Sequence, residues 1–382
     1  MLWIVGAGAV VKALDKVQGG GVTEFLTEQL THAPWQGFRF YDLIFPLFLF
    51  IVGVSISLSL DKARASAGAG ALVGRVLRRG LWLFLLGVLY YGGVAKPWPE
   101  VQMGGVLQRI AACYVFASLI YLWVRRARGI MLVVAALLLG YAALLAWVPF
   151  PDLKLDEETV KAAALVAGSE DPAAISATVE SRVSGVYEEG RNLTNYLDFR
   201  YLPGKKAQRY YINEGLLSTL PAIALSLLGI LAGRMLKDES ILPKRKVAVL
   251  VVAGAASVAL GLLWSWELPI IKRIWTSSFI LVAAGLSAWM LALFYGVIEV
   301  WGWRRWCQPF VWIGANALVI YLAARVVRFT DVASWFTGGD VERWVDRFIA
   351  PGAGGVVTAC VALLLVILLA RFLYRRRIFI RV

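Results

Sequence analysis

The chain contains one histidine, His32, in the run Thr31-His32-Ala33-Pro34-Trp35-Gln36-Gly37-Phe38. Asp42 follows ten positions later. Imidazole is the side chain whose ordinary pKa lies nearest neutrality. It can take a proton from an attacking amine or hydroxyl, or be acylated itself and pass the acyl group on. A helix starting near Phe40 puts Asp42 in its first turn, where a carboxylate can hold an imidazole in one tautomer and one orientation. The same pair has a local reading: a loop histidine that packs, and an acidic residue that suits a helix N-terminus.

Other polar residues stand where apolar neighbours make them conspicuous. Gln108-Arg109 opens an apolar segment, and a guanidinium there can bind a carboxylate, a phosphate or a developing oxyanion, or snorkel to the interface. Asn213-Glu214-Gly215 opens another; Glu214 can act as a base, pair with Arg109 or favour a helix start. Asn316 falls near the middle of an apolar run, where a carboxamide needs partners on another helix. Lys272 precedes an apolar segment on the side that is otherwise poor in cations. Trp35 can stack on a sugar or anchor at an interface. Gly229 and Gly233 form a GxxxG pair, a signal of close helix packing. A lone histidine excludes a multi-histidine metal centre. Cys113, Cys307 and Cys360 are scattered, without a CxxC, so neither a zinc site nor a disulfide framework is expected.

The elements that position these groups follow from composition. Of 382 residues, 60% are apolar and only 17% are charged, and mean hydropathy is +0.70. Soluble domains reach about 45–50% apolar even with glycine counted. The excess requires lipid as solvent. The spacing predicts an all-α polytopic membrane protein with about ten transmembrane helices, over 1–18, 40–60, 71–91, 104–124, 129–149, 212–236, 247–265, 274–299, 307–327 and 354–374. The first is short and reads as the remainder of a longer helix. The net charge of +14 comes from cations that flank apolar segments, which argues for topology and against nucleic acid. Arg75, Arg78, Arg79, Arg125, Arg126, Lys237, Arg304, Arg371 and Arg381 sit at every second junction. Those junctions are therefore expected in the cytoplasm, together with both termini. Residues 150–211 are too mixed in composition for a linker and are expected to form a partly structured extracytoplasmic cap within a single membrane domain, 1–382.

His32 to Phe38, with Tyr41-Asp42-Leu43-Ile44-Phe45-Pro46 and the apolar run to Ile56, closely resembles the heparan-alpha-glucosaminide N-acetyltransferase family and its bacterial members. Leu107-Gln108-Arg109-Ile110, Asn213 to Pro221 and Gly314 to Tyr321 resemble later blocks of that family in the same order. Its members begin with a Ser-Leu-Asp-x-x-Arg-Gly type of stretch ahead of the part matching Met1–Gly6, and many carry aspartate where Asn213 stands. The resemblance implies an acetyl-CoA-dependent membrane acyltransferase. Acetyl would move from cytosolic acetyl-CoA to an amino sugar or related glycan at the extracytoplasmic face of a bacterial inner membrane. It implies His32 and Asp42 as catalytic residues. Trp35, Gln108, Arg109, Asn213, Glu214, Lys272 and Asn316 become substrate contacts. Arg75, Arg78, Arg79, Arg125 and Arg126 become contacts for the CoA phosphates, by charge complementarity. No metal is implied; lipid is a partner, and a homodimer is compatible with the reading. The rival is a secondary transporter or flippase for a sugar or lipid-linked glycan, against which no inverted pair of broken helices is obvious.

Overall fold

The computed structural model describes residues 1–64 and 68–379. Arg381, one of the cations expected to mark the cytoplasmic side, lies outside the described residues. In chain order the helices are α1 (Gly8–Gln18), α2 (Val22–Gln29), α3 (Phe40–Arg64), α4 (Ala69–Tyr90), α5 (Val106–Trp123) and α6 (Ala127–Trp147). Three short ones follow, α7 (Glu157–Ala167), α8 (Pro172–Ala177) and α9 (Leu193–Tyr201). Then come α10 (Thr219–Lys237), α11 (Pro243–Trp264), α12 (Ser277–Tyr295), α13 (Gln308–Ala315), α14 (Ala317–Val327), α15 (Phe329–Thr337), α16 (Asp340–Phe348) and α17 (Ala353–Arg375).

The protein is an all-α polytopic membrane protein. Seven helices are long and apolar enough to cross a bilayer: α3, α5, α6, α10, α11, α12 with its π-helical extension to Val300, and α17. The bent pair α13–α14 makes an eighth if counted as one span. The expected number of about ten is not reached by this measure, for two physical reasons. The 71–91 segment is the helix α4, but Arg75, Arg78 and Arg79 load its first half with charge. The 1–18 segment is short, carries Lys12, Asp15 and Lys16, and is kinked at Gly6, whose φ is +157°. The expected 307–327 span is broken at Asn316, with 71° between its halves.

Contacts divide the chain into two compact units. The larger holds 33–38 and 45–296. In it α4 packs on α5, α11 packs on α12, and α10 contacts α5, α6 and α12. The 150–211 region is structured. Strands β1 (Phe150–Pro151) and β2 (Arg182–Val183) pair antiparallel, as do β3 (Tyr187–Glu188) and β4 (Arg191–Asn192). Asp156, Asp171 and Asn192 cap α7, α8 and α9 by accepting backbone N–H bonds. Leu153, Leu155, Val160, Ile175, Phe199 and Tyr211 form its own small core.

The smaller unit holds 1–32, 39–44 and 297–382. Its hub is α17, which touches α1, α13, α15, α16 and the π-helical turn Trp3–Ala7. Val5, Ile313, Ile320, Val366 and Ala370 are its buried apolar cluster. The short helix α16 packs two of its acids inward, with Asp340 left exposed: Asp346 Oδ1 accepts the Gly354 N–H at 2.7 Å, and Glu342 lies against Gly354. Trp344 and Phe348 of the same helix are exposed, as are Trp335 and Phe336 of α15.

Candidate functional site

His32 and Asp42 are joined as their spacing predicts. His32 Nδ1 lies 2.7 Å from Asp42 Oδ1. The other carboxylate oxygen accepts the Arg39 backbone N–H at 3.0 Å. A carboxylate only accepts, so this bond places the imidazole proton on Nδ1 and the lone pair on Nε2. Asp42 is fully buried, while the His32 side chain is 47% exposed. The carboxylate thus sits in the fold and presents the ring outward. Arg39 adds a strap, donating to the Thr31 hydroxyl (2.9 Å), the His32 carbonyl (3.2 Å) and the Glu28 carboxylate (2.7 Å). Gln29 Oε1 accepts the Phe40 N–H at 3.1 Å. The end of α2 is thereby tied to the first turn of α3, and the Tyr41 ring packs 4.7 Å from the imidazole.

The larger unit contains a second polar centre at the start of α5. Arg109, 2% exposed, donates to the Ser218 carbonyl (3.2 Å), the Gly215 carbonyl (2.9 Å) and the Ser218 hydroxyl (2.6 Å). Its guanidinium lies 4.9 Å from the centre of the buried Trp275 ring. Glu214 does not pair with it: among the described residues no carboxylate oxygen lies within ion-pair distance of Arg109. Asp198, fully buried, grips the same turn from the other side through the Leu216 N–H at 2.9 Å. Gly215 is required there, since a Cβ would fall 2.0 Å from Asp198 Oδ2. Burial pushes the Asp198 carboxyl up to about 7, against the bonds from the Leu216 and Ile212 amides and the charges of Arg109 and Lys206. Arg109 Nε, Asp198 Oδ2 and Asn213 Oδ1 are buried without a hydrogen-bond partner. Three such groups around one turn mark it as a place for a polar ligand or ordered water.

The remaining candidates are spread over both units. Gln108, next to Arg109, faces Gly87 of α4 and donates to the Gln102 carbonyl at 3.4 Å. Trp35 is anchored, its indole N–H donating to the Tyr187 carbonyl at 2.7 Å. Gly37 N–H pairs with the Ile270 carbonyl, and Lys272 follows half-buried. Asn316, 2% exposed, fills the break between α13 and α14 with both side-chain polar atoms unpartnered. Arg75 and Arg78 are exposed on α4, and Arg79 lies 4.8 Å over the Tyr114 ring. Arg126 precedes α6, and the Arg125 carbonyl accepts from Arg234. Among the described residues no group of three or more His, Cys, Asp or Glu is placed to hold a metal ion. Sequence reasoning missed Asp198, Ser218 and Trp275. Only the apolar company of Ser218 and Trp275 hinted at burial, and nothing marked Asp198.

A histidine held by a buried carboxylate, in a chain with seven or eight apolar spans, defines a polytopic membrane protein with one imidazole oriented by an acid. Residues 21–156 match the family model described as heparan-alpha-glucosaminide N-acetyltransferase, catalytic. The match includes His32, Asp42 and Arg109. The chain is 23% identical to the heparan-alpha-glucosaminide N-acetyltransferase of Mus musculus, over 91% of this chain and 56% of that protein. It is 25% identical to that of Homo sapiens, over 91% of this chain and 55% of that one. The chain therefore spans about half the length of the relatives it matches.

Proposed function

We propose that this chain is a membrane-embedded acetyltransferase that moves acetyl from acetyl-CoA to an amino sugar or related glycan acceptor. The observation that carries this reading is the His32–Asp42 pair, held at 2.7 Å within the stretch that matches the family. Donor and acceptor belong to different compartments, which is the physical reason for a membrane fold. The alternating basic junctions support a reading in which the donor and both termini face the cytoplasm and the 150–211 cap faces the acceptor side.

An amine acceptor reaches the site protonated, and a hydroxyl acceptor is a poor nucleophile. An ammonium acceptor first gives one proton to solvent; as the neutral nitrogen, or the hydroxyl oxygen, bonds to the thioester carbonyl carbon, a proton passes to His32 Nε2. The C–S bond then breaks, and the leaving CoA sulfur takes up a proton. In the covalent variant of the route, Nε2 itself takes the acetyl group and the acceptor attacks acetyl-histidine. Both need the tautomer that Asp42 imposes. In the larger unit Trp35, Gln108, Arg109, Asn213, Glu214 and Lys272 are the proposed contacts for substrate; in the smaller unit, Asn316 is.

Transport is the second reading, favoured by the break at Asn316, since broken helices line substrate paths in transporters. One assay separates the two. Reconstituted protein is supplied with labelled acetyl-CoA outside and an amino-sugar acceptor inside the vesicle. Acetylated acceptor in wild type, and its loss in His32→Ala with the acceptor still excluded from free passage, supports transfer. Movement of unmodified acceptor without acetylation removes the acetyltransferase reading.

A further inference from the structure

The ends of α3, α5 and α10 meet in the larger unit, away from the Arg109 turn, and build a charged cluster that no single segment contains. Arg64 Nη2 donates to the carbonyls of Tyr121 (3.1 Å) and Leu122 (2.9 Å) at the end of α5. Arg234 Nη1 donates to the Arg125 carbonyl at 2.5 Å. Both guanidiniums lie against one ring, 5.3 Å and 5.8 Å from the centre of Tyr121. The Tyr121 hydroxyl donates to Asp61 Oδ1 at 2.9 Å, and Lys237 Nζ donates to Asp61 Oδ2 at 3.1 Å. Arg64 Nη1 stands 3.9 Å from the same carboxylate. Two cations thus share one anion, and a third, Arg234, lies against the same ring.

Helix C-terminal carbonyls account for part of this arrangement, because cations are favoured at that end of a helix. They do not account for its order. Cations that only set sidedness need no fixed partners, and Arg75 and Arg78 have none among the described residues. Arg64 is less than a quarter exposed, and its fork is oriented in advance by two carbonyls and a ring. Each guanidinium carries five N–H donors, more than the carbonyls here use. Immobilised donors with surplus positive charge bind an anion without paying to order the side chains first. An anion with several oxygens, such as a phosphate ester, matches that geometry.

We infer that the joined ends of α3, α5 and α10 form a phosphate-ester site, with Arg64, Arg234 and Lys237 as its cations. Tyr121 is the platform for the two guanidiniums, and Asp61 positions Tyr121 and Lys237. The inference rests on the proposed acetyl-CoA donor for one source of the phosphate; an anionic phospholipid head group is the other source of the same chemistry. It moves the phosphate contacts from the exposed arginines of α4 to side chains that tertiary structure gathers.

The test uses the full chain in nanodiscs of phosphatidylcholine alone and of phosphatidylcholine with phosphatidylglycerol. CoA binding is followed by calorimetry, and bound phosphatidylglycerol by mass spectrometry after detergent extraction. Arg234→Gln/Lys237→Gln is expected to weaken CoA binding at least roughly ten-fold, the loss of one or more charge-assisted bonds, with Arg75→Gln/Arg78→Gln within about two-fold of wild type. Unchanged CoA binding with loss of retained phosphatidylglycerol assigns the site to lipid. If wild type binds no CoA, the donor reading fails and the lipid arm alone decides the site. Both ligands bound as in wild type by a folded double variant overturns the site and leaves the donor reading intact. Should the double variant not fold, wild-type protein answers instead: CoA or lipid retention must weaken with rising salt and with added pyrophosphate, and insensitivity to both overturns the inference.

Discussion

Gly53 of α3 and Gly229 of α10 meet main chain to main chain. A Cβ on Gly53 would stand 1.9 Å from the Ser226 carbonyl oxygen, and one on Gly229 would stand 2.0 Å from the Phe50 carbonyl oxygen. Gly233 continues the seam, where a Cβ would meet the Ser57 hydroxyl at 2.3 Å. Gly229→Val should therefore force the helices apart and cost at least the roughly 1–3 kcal/mol of an overpacked core. Thermal unfolding in detergent checks this, with Gly74→Ala as control. Nothing lies within 4 Å of a Cβ at Gly74, so that helical substitution should be neutral or slightly stabilising.

His32→Ala should lower acetyl transfer by about 10²-fold or more, the usual contribution of a positioned base, while donor binding survives. Asp42→Asn leaves one acceptor where two are used, by His32 Nδ1 and by the Arg39 amide. It should reduce kcat by about ten-fold with little change in KM, measured as initial rates of acetylated product. A rate for Asp42→Asn equal to wild type would show that the carboxylate does not set the ring's tautomer.

The Asp198 carboxyl, pushed up to about 7 from its ordinary 3.8, binds its proton more tightly folded than unfolded. The stability this brings is complete below the unfolded pKa and is lost as pH rises through about 7. Arg109 and Lys206 face the group as cations, with Glu214 and Tyr141 nearby on the same network. Between about pH 4 and pH 7 wild type should lose stability at up to roughly 1.4 kcal/mol per pH unit from this one site, and little more above it, where both states are ionised. Asp198→Asn keeps an acceptor for the Leu216 N–H and cannot ionise. Its melting temperature should vary less than wild type's between about pH 4 and pH 7, the range over which the carboxyl is ionised unfolded but still protonated folded. Parallel curves would remove Asp198 as the titrating group.

Arg109→Lys keeps the charge and loses the fork that holds Gly215 and Ser218, together with the stacking on Trp275. A loss of about 3 kcal/mol is expected, as for a buried ionic group stripped of partners. Hydrogen exchange should show the amides of 212–218 opening first.

Much of the fold was legible because lipid imposes a simple rule: apolar runs of the right length become helices. Seven long apolar helices formed over expected segments, while 1–18 is kinked at Gly6 and 307–327 breaks at Asn316; the GxxxG pair in α10 marked a true close approach. The His32–Asp42 contact was legible because ten residues with a helix start between them leave few other geometries. The break at Asn316 was not, since a run apolar on all sides carries no periodicity to interrupt. Charge counting also misled at α4, where Arg75, Arg78 and Arg79 sit inside a helix rather than beyond its end. Asp198 was silent because Asn195-Tyr196-Leu197-Asp198 reads as an ordinary surface stretch until tertiary contacts bury it. Arg64, Arg234 and Lys237 are 170 residues apart in part and only the packing of α3, α5 and α10 brings them to one ring.

In the short helix α16 Glu342 and Asp346 lie toward Gly354 of α17 beside the buried Val345. Its exposed face mixes Trp344 and Phe348 with the charges of Asp340, Arg343 and Arg347. Replacing its inner carboxylates by leucine, the ordinary route to a firmer core, would strip the Gly354 amide of its acceptor. A water-soluble redesign of this unit has to begin by repainting α15 and α16, at Trp335, Phe336, Trp344 and Phe348, before any spanning helix is touched.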